Sequence, residues 1–208
     1  MDTDDLINQL AAEETPGPAR YPLVRFGLPL LGAGVLAIVL LTLVLGPPLA
    51  EVEQTGMLPF AIKTLFSASV ALFGAIALFT SGRPGTLLQT RLLVVALPFA
   101  AIAGLALSEF SGAAPQWPGA SWRQCIASIA LLTPLAFVGT MLALKRLAPV
   151  RLALSGALAG LAASGTAATA YALWCPETNA LFLVSWYAGT MLVSAVIGTL
   201  LGPKLLRW

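Results

Sequence analysis

Six long apolar runs constrain this chain more than any other feature of its sequence. Each is close to the roughly 20 residues that an α-helix needs to cross a bilayer. The runs extend from Phe26 to Leu45, Leu58 to Phe79, Leu92 to Leu107, Cys125 to Leu144, Leu152 to Trp174 and Leu181 to Leu201. The chain is 58% hydrophobic and only 10% charged, a composition that a soluble domain could not hide from water. We therefore predict an all-α, polytopic membrane protein with a bundle of six transmembrane helices.

The same composition argues against several classes of function. In 208 residues, six helices with short connections leave no room for a separate soluble enzyme domain. The chain has no histidine, phosphate-binding loop or nucleophile elbow, and no basic block that would bind nucleic acid directly. We place no ionisable residue in the middle of a run, and we expect Lys63 to reach the headgroups from a helix end. An enzyme and a charge-coupled pump are both disfavoured.

The distribution of basic residues predicts the orientation of the bundle, because lysine and arginine beside a span are retained in the cytoplasm. Nine of the eleven basic residues lie before the first run, in the second and fourth connections, or after the last run. The other two, Lys63 and Arg123, lie at the opposite ends of the helices together with most of the acids of the loops. Both termini should therefore be cytoplasmic.

Small residues recur on one face of the fifth run, at four-residue spacing. Gly156, Gly160, Ser164 and Ala168 form this stripe, and the sixth run offers Gly198 and Gly202. Such residues let helix backbones approach closely in a membrane. We interpret them as contacts within the bundle.

Both cysteines fall at ends of helices that should face outward. Cys125 starts the fourth run and Cys175 ends the fifth, so the two thiols should lie on the same side at similar depth. In a bacterial inner membrane that side is the oxidising periplasm. The residues leave three alternatives open: a structural disulfide, a redox or metal-sensing pair exposed beside Arg123 with a lowered pKa, or two inert thiols. Glu109 and Glu177 could complete a transient metal site with the two thiols, and we expect no required cofactor.

The first 25 residues are polar and contain five acids, unlike the basic start of a signal peptide, so we expect the first run to be retained as a helix. Residues 2–14 predict a short helix with an apolar stripe of Leu6, Ile7 and Leu10. The membrane surface, the loops of the bundle or a soluble partner could bury this stripe, and the acids argue against anionic lipid. We favour a soluble partner, with a tail that orders only on binding as the alternative.

Several of these segments resemble the NrsF family of bacterial membrane anti-sigma factors. The resemblance is carried by Thr3-Asp4-Asp5-Leu6-Ile7 with Leu10, by the Cys125 segment, and by Cys175-Pro176-Glu177-Thr178 with its continuation into Leu181-Phe182 and Trp186-Tyr187. It also includes the ending Gly202-Pro203-Lys204-Leu205-Leu206-Arg207-Trp208. The likeness extends over essentially the whole chain.

The resemblance implies a protein that holds an extracytoplasmic-function sigma factor inactive at the inner membrane. It further implies that Cys125 and Cys175 sense metal or oxidative stress, with Glu177, Glu109 and Arg123 as neighbours. Residues 1–25 would form the cytoplasmic sigma-binding segment, and residues 26–208 the sensor domain. The contact with the sigma factor would involve Asp4, Asp5, Leu6, Ile7 and Leu10.

Two alternatives belong to other classes of protein. A small transporter or transporter subunit would need polar positions that line a pathway, whereas the visible ones are scattered and should bond within the bundle. These positions are Ser67, Ser69, Thr133, Thr140, Ser164, Thr166 and Thr169. A structural assembly factor would bind membrane subunits rather than a soluble sigma factor.

Overall fold

The computed structural model describes residue 5 and residues 21–48, 56–80, 88–110, 119–145, 149 and 151–207. Within these ranges it has six long helices, each apolar enough to span a membrane, and no strand. They are α1 (Tyr21–Leu45), α2 (Met57–Thr80), α3 (Leu88–Phe110), α4 (Trp122–Lys145), α5 (Leu152–Tyr171) and α6 (Ala180–Leu205). The six predicted runs are thus confirmed as helices, with boundaries that differ by a few residues.

The helix ends follow the local chemistry of the sequence. After α1 the chain turns at Gly46, whose φ of 85° is accessible to glycine at little cost, and Pro47 follows. Gly119 takes the same conformation just ahead of α4. Neither Pro98 in α3 nor Pro134 in α4 interrupts its helix.

Helix α5 forms the centre of the bundle. It packs against α1, α2, α4 and α6, and 67% of its span is buried, whereas no other span exceeds 39%. Large exposed apolar side chains occur on the other five helices and on none of the residues of α5. This arrangement suits a helix rich in glycine and alanine, because small side chains let other helices pack closely on several sides.

The predicted small-residue face is confirmed as an intramolecular contact between α5 and α6. A Cβ atom at Gly156 would collide with the carbonyl oxygen of Gly198, and one at Gly160 would collide with that of Ser194. On another side of α5, a Cβ at Gly165 would come within 2.6 Å of the backbone nitrogen of Ala71 in α2. Backbone therefore touches backbone along much of α5.

The first half of α6 departs from regular α-helix. Residues Leu183–Ala188 form a π-helical segment, preceded by the short α-helical stretch Ala180–Phe182 and followed by Gly189–Leu205. A π-helical turn contains one extra residue and therefore changes which side chains face the core. Here the segment directs Tyr187 inward, where it is fully buried, and half-buries Trp186.

Candidate functional site

The structure brings Cys125 and Cys175 together at one end of the bundle. Cys125 lies in the first turn of α4, and Cys175 lies in the α5–α6 turn (residues 172–179). Both thiols are free and fully buried in one apolar cluster, and they are close enough to interact electrostatically. The expectation that they share one end is met, whereas the exposure that the redox or metal-sensing alternative assumed is not found.

Three groups approach the sulfur of Cys175. Negative charge on it is favoured by the phenol of Tyr187, the ammonium of Lys63 and the backbone N–H of Glu177. Burial nevertheless dominates and raises the pKa of the Cys175 thiol, with these three groups opposing the rise. A lowered pKa, which the redox or metal-sensing alternative assumed, is therefore not found at Cys175.

Lys63 is the largest departure from the sequence-based expectation. Instead of reaching toward the headgroups, its side chain is 1% exposed, and its ammonium donates a hydrogen bond to the backbone carbonyl of Cys175. The ring of Phe60 lies 5.9 Å from the same ammonium. A buried charge is costly unless hydrogen bonds and nearby dipoles compensate it, so this contact fixes α2 against the α5–α6 turn.

Glu177 joins the α5–α6 turn to the start of α4. Its carboxylate accepts hydrogen bonds from the backbone N–H groups of Ala120, at 2.8 Å, and Ser121, at 3.3 Å. The hydroxyl of Ser121 donates to the same oxygen over 3.4 Å. A negative charge is favourable at the N-terminal end of a helix, and here it lies one turn before Cys125.

Glu109 makes a similar contact from the last turn of α3. Its carboxylate accepts a hydrogen bond of 2.8 Å from the backbone N–H of Ala180, the first residue of α6. Asn179 caps the same helix end, with its side-chain oxygen accepting from the N–H of Leu181. Glu109 thus holds α3 against the beginning of α6.

A fourth contact connects the α5–α6 turn to α1. The indole N–H of Trp174 donates to the carbonyl of Gly46 over 2.9 Å, immediately after the end of α1. Together with the bonds of Lys63, Glu177 and Glu109, it connects residues 174–180 to each of the first four helices. A covalent change at Cys175 would therefore affect a segment that is hydrogen-bonded to the first four helices.

Among the described residues, no group of three or more cysteine, aspartate or glutamate side chains could hold a metal ion. Glu109 and Glu177, which the sequence suggested could complete such a site, direct their carboxylates to backbone N–H groups instead. Arg123 is exposed, with its guanidinium 5.2 Å from the centre of the Trp122 ring. Trp122 itself stacks on Trp186 of the π-helical segment, with ring centres 5.1 Å apart.

The end of the bundle opposite the thiols is basic. Helix α4 ends there, α5 begins there, and α6 ends there. Lys145, Arg151, Lys204 and Arg207 are all exposed at this end. The predicted sigma-binding residues Asp4, Leu6, Ile7 and Leu10 lie outside the described residues, and Asp5 is described as an exposed helical position.

At the polar positions that a transporter would need, the hydroxyl groups are hydrogen-bonded within their own helices. All seven serine and threonine residues named above donate to a carbonyl three or four residues earlier, for example Thr133 to Ile129 over 2.6 Å and Ser164 to Gly160 over 2.7 Å. This is the usual behaviour of hydroxyl side chains inside apolar helices. The expectation that they bond within the bundle is confirmed.

Fold and site together define a class: a small bundle of six helices that are apolar enough to span a membrane, with a buried thiol pair at one end. The family described as "NrsF: Negative regulator of sigma F" matches residues 10–208, and the chain belongs to this family of anti-sigma factors.

Two relatives match along their full lengths and the full length of this chain. One, from Azospira oryzae, is named "Probable anti-sigma-F factor NrsF" and is 33% identical over 214 residues. The other, from Caulobacter vibrioides, is named "Anti-sigma-F factor NrsF" and is 34% identical over 220 residues. No solved structure matches significantly.

Proposed function

We propose that this chain is a bacterial inner-membrane anti-sigma factor that binds an extracytoplasmic-function sigma factor through its N-terminal segment and releases it when the Cys125–Cys175 pair is oxidised. The observation that carries the proposal is the placement of Cys175, a buried thiol in the turn to which the first four helices are bound. Membership of the family supplies the anti-sigma role.

The membrane arrangement is supported by the surface of the bundle. Large apolar side chains are exposed on α1, α2, α3, α4 and α6, which is the pattern of a bundle surrounded by lipid. The exposed cations lie at the opposite end to the thiols, and basic ends are retained in the cytoplasm. The thiol end would then face the periplasm, where disulfides form and persist.

The sigma factor would be held by residues 1–25 on the cytoplasmic side. In this segment Leu6, Ile7 and Leu10 would enter an apolar groove, and Asp4 and Asp5 would contact basic residues of the partner. Both relatives carry "anti-sigma-F factor" in their names, which supports a sigma factor as the partner of this chain as well.

The signal would start with a change of packing at the thiol end. A disulfide between Cys125 and Cys175 would draw the start of α4 toward the α5–α6 turn and disturb the hydrogen bonds of Lys63, Glu177 and Trp174. Closely packed helices have few alternative arrangements, so such a strain is relieved by a discrete shift. Helices α4 and α5 would carry the shift to the basic end, beside the N-terminal segment.

Recruitment of the sigma factor to membranes tests the partner and its contact. The full chain is co-expressed with the sigma factor and compared with a version that lacks residues 2–14. We expect recruitment by the full chain only. A triple replacement of Leu6, Ile7 and Leu10 by alanine should abolish recruitment as well, whereas Asn8→Ala, on the polar side of the same predicted helix, should retain it. Recruitment without residues 2–14 would refute the assigned contact.

Release of the sigma factor tests the sensor. Membranes with bound sigma factor are exposed to hydrogen peroxide, and the sigma factor in the soluble fraction is measured. We expect release from the native chain and none from a chain in which Cys125→Ser and Cys175→Ser are combined. Equal release from both chains would show that the thiols are not the sensor.

A further inference from the structure

The two thiols have unequal surroundings. Beside Cys175 lies the buried ammonium of Lys63, which donates a hydrogen bond to the backbone carbonyl of Cys175 and favours negative charge on the sulfur of the same residue. The start of α4, which contains Cys125, instead receives the carboxylate of Glu177, whose negative charge does not favour a second anion nearby. Both sulfurs are fully buried, so burial does not explain this difference.

We propose that Cys175 is the thiol that reacts first with a hydroperoxide, that Cys125 reacts second, and that Lys63 is the positioning residue that sets this order. The inference deepens the proposed function and rests on its thiol pair. It assigns a role to Lys63, whose burial the sequence did not predict.

In the first step, written for hydrogen peroxide, the sulfur of Cys175 gives up its proton and attacks one oxygen of the peroxide. The O–O bond breaks, a sulfenic acid forms on Cys175, and hydroxide leaves and takes up the released proton as water. In the second step, the sulfur of Cys125 attacks the sulfenic sulfur and loses its proton, which leaves with the hydroxyl group as a second water. Two thiols are oxidised to one disulfide, and one peroxide is reduced to two waters.

Geometry gives Lys63 its role in the first step. Its hydrogen bond to the carbonyl of Cys175 fixes the ammonium beside the residue whose sulfur gains negative charge during the attack. The phenol of Tyr187 is fully buried in the same cluster as Cys175, and its hydroxyl has no hydrogen-bond partner among the described residues, so it can donate to a developing anion. Preorganised donors of this kind stabilise a developing anion most in a site that excludes water.

Single-thiol chains test the order of reaction. A chain with Cys125→Ser retains only Cys175, and a chain with Cys175→Ser retains only Cys125. The purified proteins, in detergent and without sigma factor, are treated with hydrogen peroxide, and a dimedone-type reagent that traps sulfenic acid is followed by mass spectrometry. We expect Cys175 to react at least about tenfold faster than Cys125, the order of effect of one nearby opposite charge on a reacting atom.

Variants of Lys63 test its part in that order. Lys63→Met removes the charge and retains much of the length, and it should slow Cys175 by about tenfold while leaving Cys125 unchanged. Lys63→Arg should restore much of the rate, and Lys204→Met, at the opposite end, should have no effect. A general loosening of the bundle would instead speed both thiols, because each is protected by burial.

Tyr187→Phe provides a variant that alters only one oxygen atom, and it should slow Cys175 selectively even if Lys63→Met does not fold. Equal rates for the two thiols, a faster Cys125, or equal effects of Lys63→Met on both would overturn the proposal. Because these rates are measured without the sigma factor, they do not depend on whether oxidation releases it. An ordered thiol reaction without release would refute the proposed sensor function and leave the order of reaction standing.

Discussion

At the scale of single residues, Glu177 connects the turn that contains one cysteine to the helix that contains the other. Its carboxylate accepts from two backbone N–H groups and one hydroxyl just ahead of α4. Gly119 leaves room for this contact, since a Cβ there would lie 2.6 Å from Phe182 and 3.1 Å from the carboxylate. One acidic side chain thereby fixes the distance between the two thiol-bearing segments.

Replacing Glu177 with alanine should destabilise the thiol end. We expect a loss of about 1 kcal/mol, because the bonds are charge-assisted but partly exposed to water. In detergent this corresponds to a fall of roughly 2–4 °C in Tm. Thr178→Ala, an exposed neighbour, is the matched control and should leave Tm unchanged. If the two variants melted alike, the carboxylate would contribute nothing to this end of the bundle.

The raised pKa of Cys175 predicts how its modification depends on pH. At pH 8 a smaller fraction of this thiol is ionised than of an exposed cysteine, and only the thiolate attacks iodoacetamide. The rate in a Cys125→Ser chain should therefore be low at pH 8 and continue to rise above pH 9, where the rate of an exposed thiol levels off. The same chain unfolded in detergent is the reference, and identical pH profiles would contradict the assignment.

The residues at this end were only partly predictable from the sequence. Helix topology alone places Cys125 and Cys175 at one end, so their proximity could be foreseen. The direction of the Lys63 side chain depends on which face of α2 meets α5 and the following turn, and hydropathy does not encode that choice. The hydrogen bonds of Glu177 to Ala120 and Ser121 join residues that are 57 and 56 positions apart in the sequence. The sequence pattern did not predict them either.

At the scale of helices, the contact between α5 and α6 depends on the absence of side chains. Gly156→Ala should be destabilising by about 1–3 kcal/mol, because its Cβ would meet the backbone of Gly198 and Gly202, which cannot move aside as a flexible side chain could. Gly104→Ala in α3 is the matched control, since a Cβ there meets nothing within 4 Å.

Thermal unfolding in detergent measures both variants, and Gly104→Ala should be neutral or stabilising by up to about 1 kcal/mol, as expected for alanine in place of glycine in a helix. An equal Tm for both variants would mean that α5 and α6 can move apart at Gly156 without a loss of stability.

The helices themselves were largely foreseeable, because six apolar runs of sufficient length permit little else. The small-residue faces of α5 and α6 were also visible, since four-residue spacing places them on one side of a helix. The π-helical segment Leu183–Ala188 was not, because its extra residue leaves no mark in composition. Within this segment Tyr187 is fully buried, and the neighbouring Trp186 stacks on Trp122.

At the scale of the whole molecule, the proposed mechanism requires the two ends of the bundle to lie on opposite sides of the membrane. Thr178 is exposed beside the thiols, and Lys204 is exposed at the basic end. Each can be replaced by cysteine in a chain from which Cys125 and Cys175 have been removed by substitution with serine. The two reporters then differ only in the end of the bundle that they mark.

A membrane-impermeant maleimide applied to intact cells should label the Thr178→Cys chain and should label the Lys204→Cys chain only after the membranes are broken. Basic residues at the Lys204 end should keep it in the cytoplasm, whereas the thiol end should be exported. The reverse pattern would place the thiols in a reducing compartment, where a disulfide does not persist, and would remove the basis of an oxidation sensor. Labelling of both chains in intact cells would show that the bundle does not separate its two ends across a membrane.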